Sequence, residues 1–278
     1  MTLQEKQSDP STLLPKEGRH VIHTFYRIDH GQWALLGEAE RRKAKTRLSQ
    51  LVQEARALPG TQLLTFSMVS AKADLGIMLL TPDLHDADRI SKQFALSLGP
   101  DILDPIYSWL SMTERSEYTM SDEEFGKTLE VEEKLKPGTP EFDARVVAFR
   151  ERMDKYLKDR LEPNMPDWPV FCFYPMSKRR APGQNWYALD FETRKQLMAG
   201  HARVGRTYAG RVRQLITGSA GLDDQEWGVT LFSHTTTDIK EIVYEMRFDK
   251  VSADYAEFGE FFIGIQLPLD VLFDRLEL

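Results

Sequence analysis

The stretch FCFYPMSKRR, residues 171–180, sets several reactive side chains on one face of a predicted strand. With the two-residue period of a strand, Cys172, Tyr174, Met176 and Lys178 point to one side and the phenylalanines to the other. A phenol can exchange a proton and an electron, and an ammonium can bind a carboxylate. The same pattern also suits a core strand in which Tyr174 and Met176 are buried and Lys178 faces water. It therefore indicates either one wall of a ligand cavity or an ordinary strand end.

His201 lies on a predicted helix, with Leu197 four residues before it and Val204 three residues after it, so the three share one apolar stripe. Taken alone, such a position is more typical of a core histidine satisfied by one hydrogen bond. The functional interpretation is an axial metal ligand, because a neutral imidazole in a dry pocket is a standard ligand of haem iron. The sequence has no cysteine cluster, HExxH motif or close histidine pair that would suggest zinc. A metal at His201 would therefore take its other ligands from a macrocycle.

Gln214 and a group of arginines could complete a pocket for an acidic ligand. In the predicted strand RVRQLITGS, residues 211–219, the amide of Gln214 lies between Val212 and Ile216 on one face. A buried amide needs a partner, which a bound ligand would provide. Arginines suit bidentate binding of carboxylates, although most arginines are surface residues; the candidates are Arg160, Arg179, Arg180 and Arg206. A porphyrin with a central metal and propionates would account for the whole set.

Two series of strands and helices are predicted to position these residues. Before residue 116 the patterns predict the strands HVIHTFYRI, TQLLTFSMVS, LGIMLLTP and DPIYSWLSMTE, a long helix over 32–58 and a helix in LHDADRISKQFALSLG. After residue 168 they predict the strands PVFCFYPMSK, RVRQLITGS, EWGVTLFSH and EFGEFFIGI and the helices DFETRKQLMAGHARVG and TDIKEIVYEMRFDKV. Asp190 is predicted to cap the helix that carries His201, and Gly205 to follow its end.

The two series share an internal repeat. GIMLLT (76–81) corresponds to GVTLFS (228–233), and at the same offset DADRISKQF (86–94) corresponds to DIKEIVYEM (238–246). Each half follows the β-α-β-β-α-β order of the ferredoxin-like pattern. We therefore predict an α+β fold in which tandem ferredoxin-like repeats form a subunit of the dimeric α/β barrel type.

The predicted organisation has four parts, given as residue ranges: a flexible N-terminal arm (1–18), an N-terminal ferredoxin-like half (19–115), a charged connector (116–168) and a C-terminal ferredoxin-like half with the site (169–278). The connector is interrupted by PGTP and is predicted to be helical in FDARVVAFRERMDKYLKDRL. Most of it is interpreted as solvated. Its end is expected to bring Arg160 close to the start of the following strand.

Composition limits the class of protein. The 278 residues are 41% apolar and 28% charged, which is typical of a soluble globular protein. The net charge of −7 argues against a general nucleic-acid binder, and one cysteine, Cys172, fits a reducing cytosol. The polar, proline-broken start lacks a signal-peptide core, and no stretch is long enough to span a bilayer. These features predict a cytoplasmic protein.

The run FCFYPMSKRR…NWYALD…RKQLMAGHARVGRTYAGRVRQLITGSAGLDDQEWGVTLFSH…IKEIVYEMRFDKVSADYAEFG strongly resembles the coproheme decarboxylases of the chlorite dismutase superfamily, in the form typical of firmicute-type Gram-positive bacteria. The resemblance is dense over residues 171–264 and extends to FSMVSAKADLGIMLLTPD and DPIYSWLSMTERSEY in the first half. It implies the ferredoxin-like repeat predicted above, usually assembled as a homopentameric ring.

The resemblance also implies a reaction. The substrate would be coproheme, which is iron coproporphyrin III, and the oxidant hydrogen peroxide. Two propionates would be oxidatively decarboxylated to vinyl groups through a three-propionate intermediate, giving haem b and two molecules of carbon dioxide.

The same resemblance implies roles for individual residues. His201 in LMAGH would be the proximal iron ligand, Tyr174 in FYPMSK the redox tyrosine, and Lys178 the residue that assists at the second propionate. Gln214 in QLITGS would occupy the distal position above the iron. Positions that hold the propionates match Met176, Arg160, Arg206 and Ser252, and two further family positions, with packing or electron-transfer roles, match Trp186 and Trp227.

Two alternatives use the same fold. A chlorite dismutase would have the same iron ligand, but in the family that chemistry goes with a distal arginine, and this chain has Gln214. Arg213 is adjacent, yet in a regular strand it points to the opposite face. A haem-binding carrier or sensor is the non-enzymatic alternative, and it has no need for Tyr174 and Lys178 on one face.

Overall fold

The structure of the protein, a computed structural model, describes residues 12–278. These residues form two compact units. The larger one combines the chain up to Thr113 with Met165–Leu278, and the smaller one is Glu114–Asn164. Of the arm predicted over residues 1–18, the part up to residue 11 lies outside the described residues.

Strands and helices alternate along the larger unit, and two helices make up most of the smaller one. The first part of the larger unit contains β1 (His20–Ile28), α1 (His30–Leu35), α2 (Glu38–Ala57), β2 (Gln62–Met68), β3 (Leu75–Thr81), α3 (Leu84–Ala95) and β4 (Leu103–Met112). The smaller unit contains α4 (Asp122–Glu132) and α5 (Pro140–Leu161). The second part of the larger unit contains β5 (Val170–Lys178), β6 (Arg180–Ala181), β7 (Gln184–Asn185), a 3-10 turn (Trp186–Ala188), α6 (Phe191–Thr207), β8 (Val212–Gly218), β9 (Trp227–Ser233), α7 (Thr236–Met246), α8 (Lys250–Tyr255), β10 (Ala256–Phe258), β11 (Phe262–Gln266) and α9 (Leu269–Arg275).

The long strands of the larger unit close into an antiparallel barrel. Within residues 12–278, neighbouring strands follow the order β5-β11-β2-β3-β1-β4-β8-β9, and β9 pairs back with β5. The short strand β10 extends the β11 side of β5. The α+β fold predicted from the ferredoxin-like repeat is therefore confirmed, with both repeats joined in one barrel.

Side chains alternate along each strand between the barrel interior and a helical layer outside it. Inside, aromatic rings from different strands stack, such as Phe66 on Phe171 at 3.9 Å and Phe25 on Phe262 at 4.1 Å between ring centroids. Outside the first repeat, α2, α3 and α9 bury a dense apolar cluster. Outside the second repeat, a separate cluster contains Cys172 and Tyr174. Each fully buried large apolar side chain contributes about 1.5–3 kcal/mol to folding.

The helix predicted over residues 32–58 is in fact two helices, so that prediction was wrong about its continuity. α1 ends at Leu35 and α2 begins after Gly37. Gly37 is extended, and its amide donates to Oε2 of Glu40 at 2.8 Å. This bond starts a new helix, because it satisfies an amide that the first turn leaves unpaired.

Three further differences lie in the second repeat. The segment TDIKEIVYEMRFDKV is divided into α7 and α8, because Asp249 is extended and caps α8. Gly205 lies inside α6, which continues to Thr207, where it was predicted to follow the helix. A Cβ at Gly205 would be 3.2 Å from Cε of Met246, so close packing accounts for the glycine. The final predicted strand is broken into β10 and β11.

The smaller unit has its own apolar contact. Ser121 caps α4 in a capping box with Glu124. The rings of Phe125 and Phe149 stack at 4.1 Å, and Phe149 is buried. The sequence predicts most of α5 but not α4. Among residues 12–278, no helix has the length and apolar character required to cross a membrane.

The β4–β8 seam joins the two repeats. Met112 pairs with Gly218, and side chains of the β8–β9 loop continue the contact. The amide of Leu110 donates to Oδ2 of Asp223 at 3.0 Å, and the hydroxyl of Ser219 donates to the carbonyl of Leu110. Beyond the Met112–Gly218 pair, these side-chain hydrogen bonds satisfy the backbone groups of Leu110 in place of a continuous β4–β8 ladder.

We predict that Asp223→Ala lowers the free energy of unfolding by about 1–3 kcal/mol, because it leaves the amide of Leu110 without its charged acceptor. Urea denaturation measures this change. The matched control is Asp224→Ala, which removes the neighbouring exposed carboxylate. Equal effects of the two substitutions would contradict the role assigned to Asp223.

Candidate functional site

The outer face of β5 carries the side chains that the sequence singles out. Phe171 and Phe173 pack inside the barrel, whereas Cys172 and Tyr174 belong to the outer cluster, with Met176 half-buried against them. The alternation predicted for FCFYPMSKRR is confirmed. The wall therefore faces the layer between the second repeat and its helices.

A break in the neighbouring strand brings aromatic rings to Tyr174. Pro175 has no N–H, and its carbonyl accepts from the amide of Gly259 at 2.8 Å. In an antiparallel strand, the N–H and the C=O of one residue point to the same neighbouring strand. The N–H that Pro175 lacks would therefore point to the place where β10 and β11 separate. Phe261, in this break, stacks on Tyr174 at 4.3 Å, and Phe258 lies 5.8 Å from it between centroids. The proline thus accounts for the broken strand and for the aromatic surroundings of the phenol.

Tyr174 is a buried phenol. Burial raises its pKa well above the usual range, with a smaller contribution from Cys172, while the positive charge of Arg247 opposes the rise. The hydroxyl therefore stays protonated at neutral pH. It can give up a proton together with an electron but does not ionise by itself.

Lys178 ends the same face as a buried cation. Its side chain is 9% exposed, and Nζ lies 4.5 Å from the ring centroid of Trp186. Burial lowers the pKa of Lys178 to about 8, against the raising effects of Asp249 and Glu226. Within the described chain, no ion pair includes Lys178. A buried ammonium without a carboxylate partner is suited to bind an acidic ligand.

His201 is held from one side by a carboxylate. Its Nδ1 lies 2.8 Å from Oδ2 of Asp249, an oxygen that also accepts from the amide of Val251 at 3.0 Å. Across residues 12–278, Nε2 has no hydrogen-bond partner. The carboxylate favours the proton on Nδ1 and leaves the lone pair on Nε2. This arrangement is typical of a histidine that ligates a metal.

The helix that carries His201 leaves its apolar stripe partly uncovered. α6 begins at Asp190, which accepts from the amide of Thr193 at 2.9 Å, so the predicted cap is confirmed. Counting the residues that the structure describes, no side chain of α6 is fully buried. A helix that packs directly on a sheet normally buries such a stripe. Together with the Nε2 lone pair and Lys178, this half-buried stripe fits a flat apolar ring with a metal and carboxylates.

Gln214 reaches α6 from β8. Its neighbours Val212 and Ile216 belong to the outer cluster, as predicted, while Leu215 belongs to the barrel interior with Arg213 on its side of the strand. The amide Nε2 of Gln214 donates to the carbonyl of Gly205 at 3.3 Å, one turn after His201. A ring between His201 and Gln214 would displace this bond.

The other predicted site residues occupy different surroundings. Ser252 is buried at the start of α8, and its amide lies 3.4 Å from Oδ2 of Asp249. Arg206 is exposed on the last turn of α6. Arg160 belongs to the smaller unit, where its Nε donates to the carbonyl of Glu114 at 2.7 Å. In the larger unit, Tyr174, Met176 and Lys178 thus share one face of β5, His201 and Ser252 share Asp249, and Gln214 contacts α6 at Gly205. Arg206 is not brought into contact with them.

Sequence reasoning missed three charged residues of this layer. Asp249 holds His201, Glu226 binds the backbone of Lys178, and Arg247 stacks on Phe258, with Cζ 3.7 Å from the ring centroid. Aspartate is a preferred N-cap residue, so Asp249 immediately before KVSADY could have been identified as a helix start. No local pattern distinguishes Glu226 or Arg247 from surface charges, because their partners are distant in sequence.

A family model described as chlorite dismutase matches residues 41–267 of the chain. Among solved structures, a haem-binding protein from Thermus thermophilus is 36% identical with a TM-score of 0.78, and the match covers 96% of this chain and 98% of that one. Chlorite dismutase from Candidatus Nitrospira defluvii, as a single-residue variant, is 19% identical with a TM-score of 0.70 over 95% and 97% of the two chains. The same enzyme in complex with imidazole is 20% identical with a TM-score of 0.69, over 95% of this chain and 97% of that one.

We predict that Asp249 sets the tautomer of His201. In the parent chain at alkaline pH, Nδ1 carries the proton, and Asp249→Asn raises the population with the proton on Nε2, since a neutral amide accepts more weakly. Long-range ¹H–¹⁵N correlation spectra of His201 report the two tautomers. Asp254→Asn, which removes a carboxylate that pairs with Lys250 on the surface of α8, is the control and should leave His201 unchanged. An unchanged spectrum for Asp249→Asn would refute the assignment.

Proposed function

Since the chain belongs to the chlorite dismutase family, we propose that it is a coproheme decarboxylase, which uses hydrogen peroxide to convert coproheme to haem b. The observation that carries the proposal is the pair Tyr174 and Lys178 on one face of β5. The first is a protonated phenol and the second a buried ammonium without an ion pair among residues 12–278. The proposal also includes the homopentamer that the resemblance implies and the cytoplasmic location that the sequence predicts.

The reaction requires a group that removes hydrogen and a group that holds a carboxylate. Each propionate, with one hydrogen peroxide and one proton, gives a vinyl group, one carbon dioxide and two waters, so the side chain loses two electrons that the peroxide gains. When bound, the iron of the substrate supplies the redox chemistry with peroxide. The chain supplies the ligand, the hydrogen acceptor and the charges.

His201 would bind the iron through Nε2, because Nδ1 is held by Asp249. The hydroxyl of Tyr174 would lose a proton and an electron and then take a hydrogen atom from the propionate beside it. Lys178 would pair with the second propionate. The remaining propionate contacts that the resemblance implies within the larger unit would be made by Met176, Arg206 and Ser252.

Gln214 would face the oxidant on the side of the ring opposite His201. Its hydrogen bond to Gly205 would open when the ring enters. A neutral amide at this place supports decarboxylation over the chlorite dismutase reaction, which goes with an arginine in the family. Arg213 does not replace it, since it lies on the other face of β8 from Gln214.

A haem carrier or sensor is the second candidate, and the haem-binding relative at 36% identity favours it. A carrier requires an iron ligand such as His201 and apolar side chains around it, such as the half-buried stripe of α6. It does not require a buried phenol and a buried ammonium on the same strand. Addition of hydrogen peroxide to the coproheme complex, followed by mass spectrometry of the porphyrin, distinguishes the two: loss of two carboxyl groups supports the enzyme, and intact coproheme supports the carrier.

We predict that Tyr174→Phe binds coproheme with unchanged affinity and loses haem b formation by about 100-fold or more, a loss on the order of that for a positioned proton-transfer group. The ring and its packing on Phe261 remain, so stability changes little. Absorbance titration gives the affinity, and a mass-spectrometric time course gives the products. Tyr244→Phe, at an exposed ring on α7, is the control. Haem b formation by Tyr174→Phe at the parent rate would overturn the proposal.

We predict that the second decarboxylation depends on the charge of Lys178. The ammonium is present below its pKa of about 8 and is lost as pH rises through that value, so the three-propionate intermediate accumulates at alkaline pH. Lys178→Met, which keeps the length and removes the charge, should accumulate it at every pH. Lys240→Met, at an exposed position of α7, should behave as the parent. Complete conversion by Lys178→Met would contradict the role of the ammonium.

A further inference from the structure

Glu226 is a buried carboxylate behind Lys178. It is 6% exposed and directly precedes β9. Its Oε2 accepts from the backbone amide of Lys178 at 2.7 Å, and its Oε1 accepts from the guanidinium of Arg180. Its own amide donates to the carbonyl of Met176 at 3.0 Å. These three bonds join Glu226 to Met176 and Lys178 at the end of β5 and to Arg180 just after it.

A carboxylate in this position is costly unless its charge is compensated, so its partners identify what it holds in place. The hydroxyl of Tyr187, which follows the β6–β7 hairpin, is a further hydrogen-bond partner of Glu226. The ring of Tyr187 also lies under Arg180, at 5.2 Å from Cζ to the centroid. Glu226 therefore ties the end of β5 to the segment that carries Trp186.

The backbone at Lys178 is clamped on its other side as well. Ala256 of β10 pairs with Lys178, and the amide of Arg179 donates to the carbonyl of Tyr255 at 2.8 Å. Tyr255 in turn lies edge-on to Trp186 at 5.4 Å between centroids. With its main chain fixed from both sides, the side chain of Lys178 is directed over the indole.

We propose that Glu226 is a positioning residue for Lys178, which fixes the end of β5 and provides negative charge behind the buried ammonium while leaving Nζ free for a substrate carboxylate. The consequence for catalysis rests on the proposed function, in which Lys178 acts at the second propionate. The positioning of Lys178 by Glu226 does not depend on the proposed function.

Two carboxylates near Lys178, those of Asp249 and Glu226, influence its pKa. Burial lowers its pKa, and Asp249 and then Glu226 raise it. Asp249 is already bound to His201 and to the start of α8, and Glu226 to a backbone amide and Arg180. The other titratable groups near this end of β5 are Arg179, Arg180, Tyr187 and Tyr255, together with Arg247, which stacks on Phe258 of β10. Glu257 of β10 pairs with Ser177 and therefore lies on the opposite face from Lys178. Neither Asp249 nor Glu226 lies within ion-pair distance of Nζ, so neither competes with a substrate.

The test compares Glu226→Gln with the parent. The amide keeps the shape and removes the charge. The first decarboxylation should proceed at the parent rate. The second should be slowed about tenfold at alkaline pH, with its profile displaced to lower pH, because loss of a neighbouring opposite charge lowers a lysine pKa by about one unit or more. Glu257→Gln, at an exposed carboxylate on β10, is the matched control and should retain the parent profile.

A second measurement is independent of activity. Reductive ¹³C-methylation of the apo chain allows the titration of Lys178 to be followed by NMR, with Lys178→Gln to assign its signal. Glu226→Gln should move this titration to lower pH, and Glu226→Asp, which keeps the charge, should restore it while the second decarboxylation stays slow. An unmoved titration in Glu226→Gln overturns the inference. If the parent does not convert coproheme, the proposed function fails, and the lysine titration still decides the role of Glu226.

Discussion

The barrel depends on β5, which pairs on both sides and closes the sheet. Because its side chains alternate, Phe171 and Phe173 must fill the interior while Tyr174, Met176 and Lys178 face the helices. A slip of one residue would place the phenol and the ammonium in the aromatic core and expose the phenylalanines. The packing of the barrel therefore fixes the wall of the site, and the two cannot vary separately.

The two repeats share a fold but differ in how their outer layers are filled. On the first, α2, α3 and α9 cover the sheet with a continuous apolar cluster, to which α2 contributes buried residues such as Leu48 and Val52. On the second, α6 leaves its stripe half-buried around His201. One repeat thus stabilises the unit through burial, and the other leaves the apolar stripe around His201 only partly covered. This difference favours the proposed site over a second structural core.

Carboxylates organise the site indirectly. Asp249 binds the amides of Val251 and Ser252 together with the ring of His201. Glu226 binds the amide of Lys178 together with the side chains of Arg180 and Tyr187. Each charge is therefore satisfied before a ligand enters. What remains available is the lone pair of His201 and the ammonium of Lys178. On the proposed function, these are the groups that meet the iron and a propionate.

The sequence alone determined the repeat, most strands and the face on which Tyr174, Lys178 and Gln214 lie, because local alternation and helical spacing encode them. It also indicated His201, through its place in an apolar stripe, although that position taken alone is more typical of a core histidine. It did not reveal the break between β10 and β11, which follows from a donor that Pro175 lacks on another strand. Nor did it reveal Asp249 and Glu226, whose partners lie 48 residues away in sequence in each case. Such pairs form only when the barrel closes, so the tertiary structure decides them.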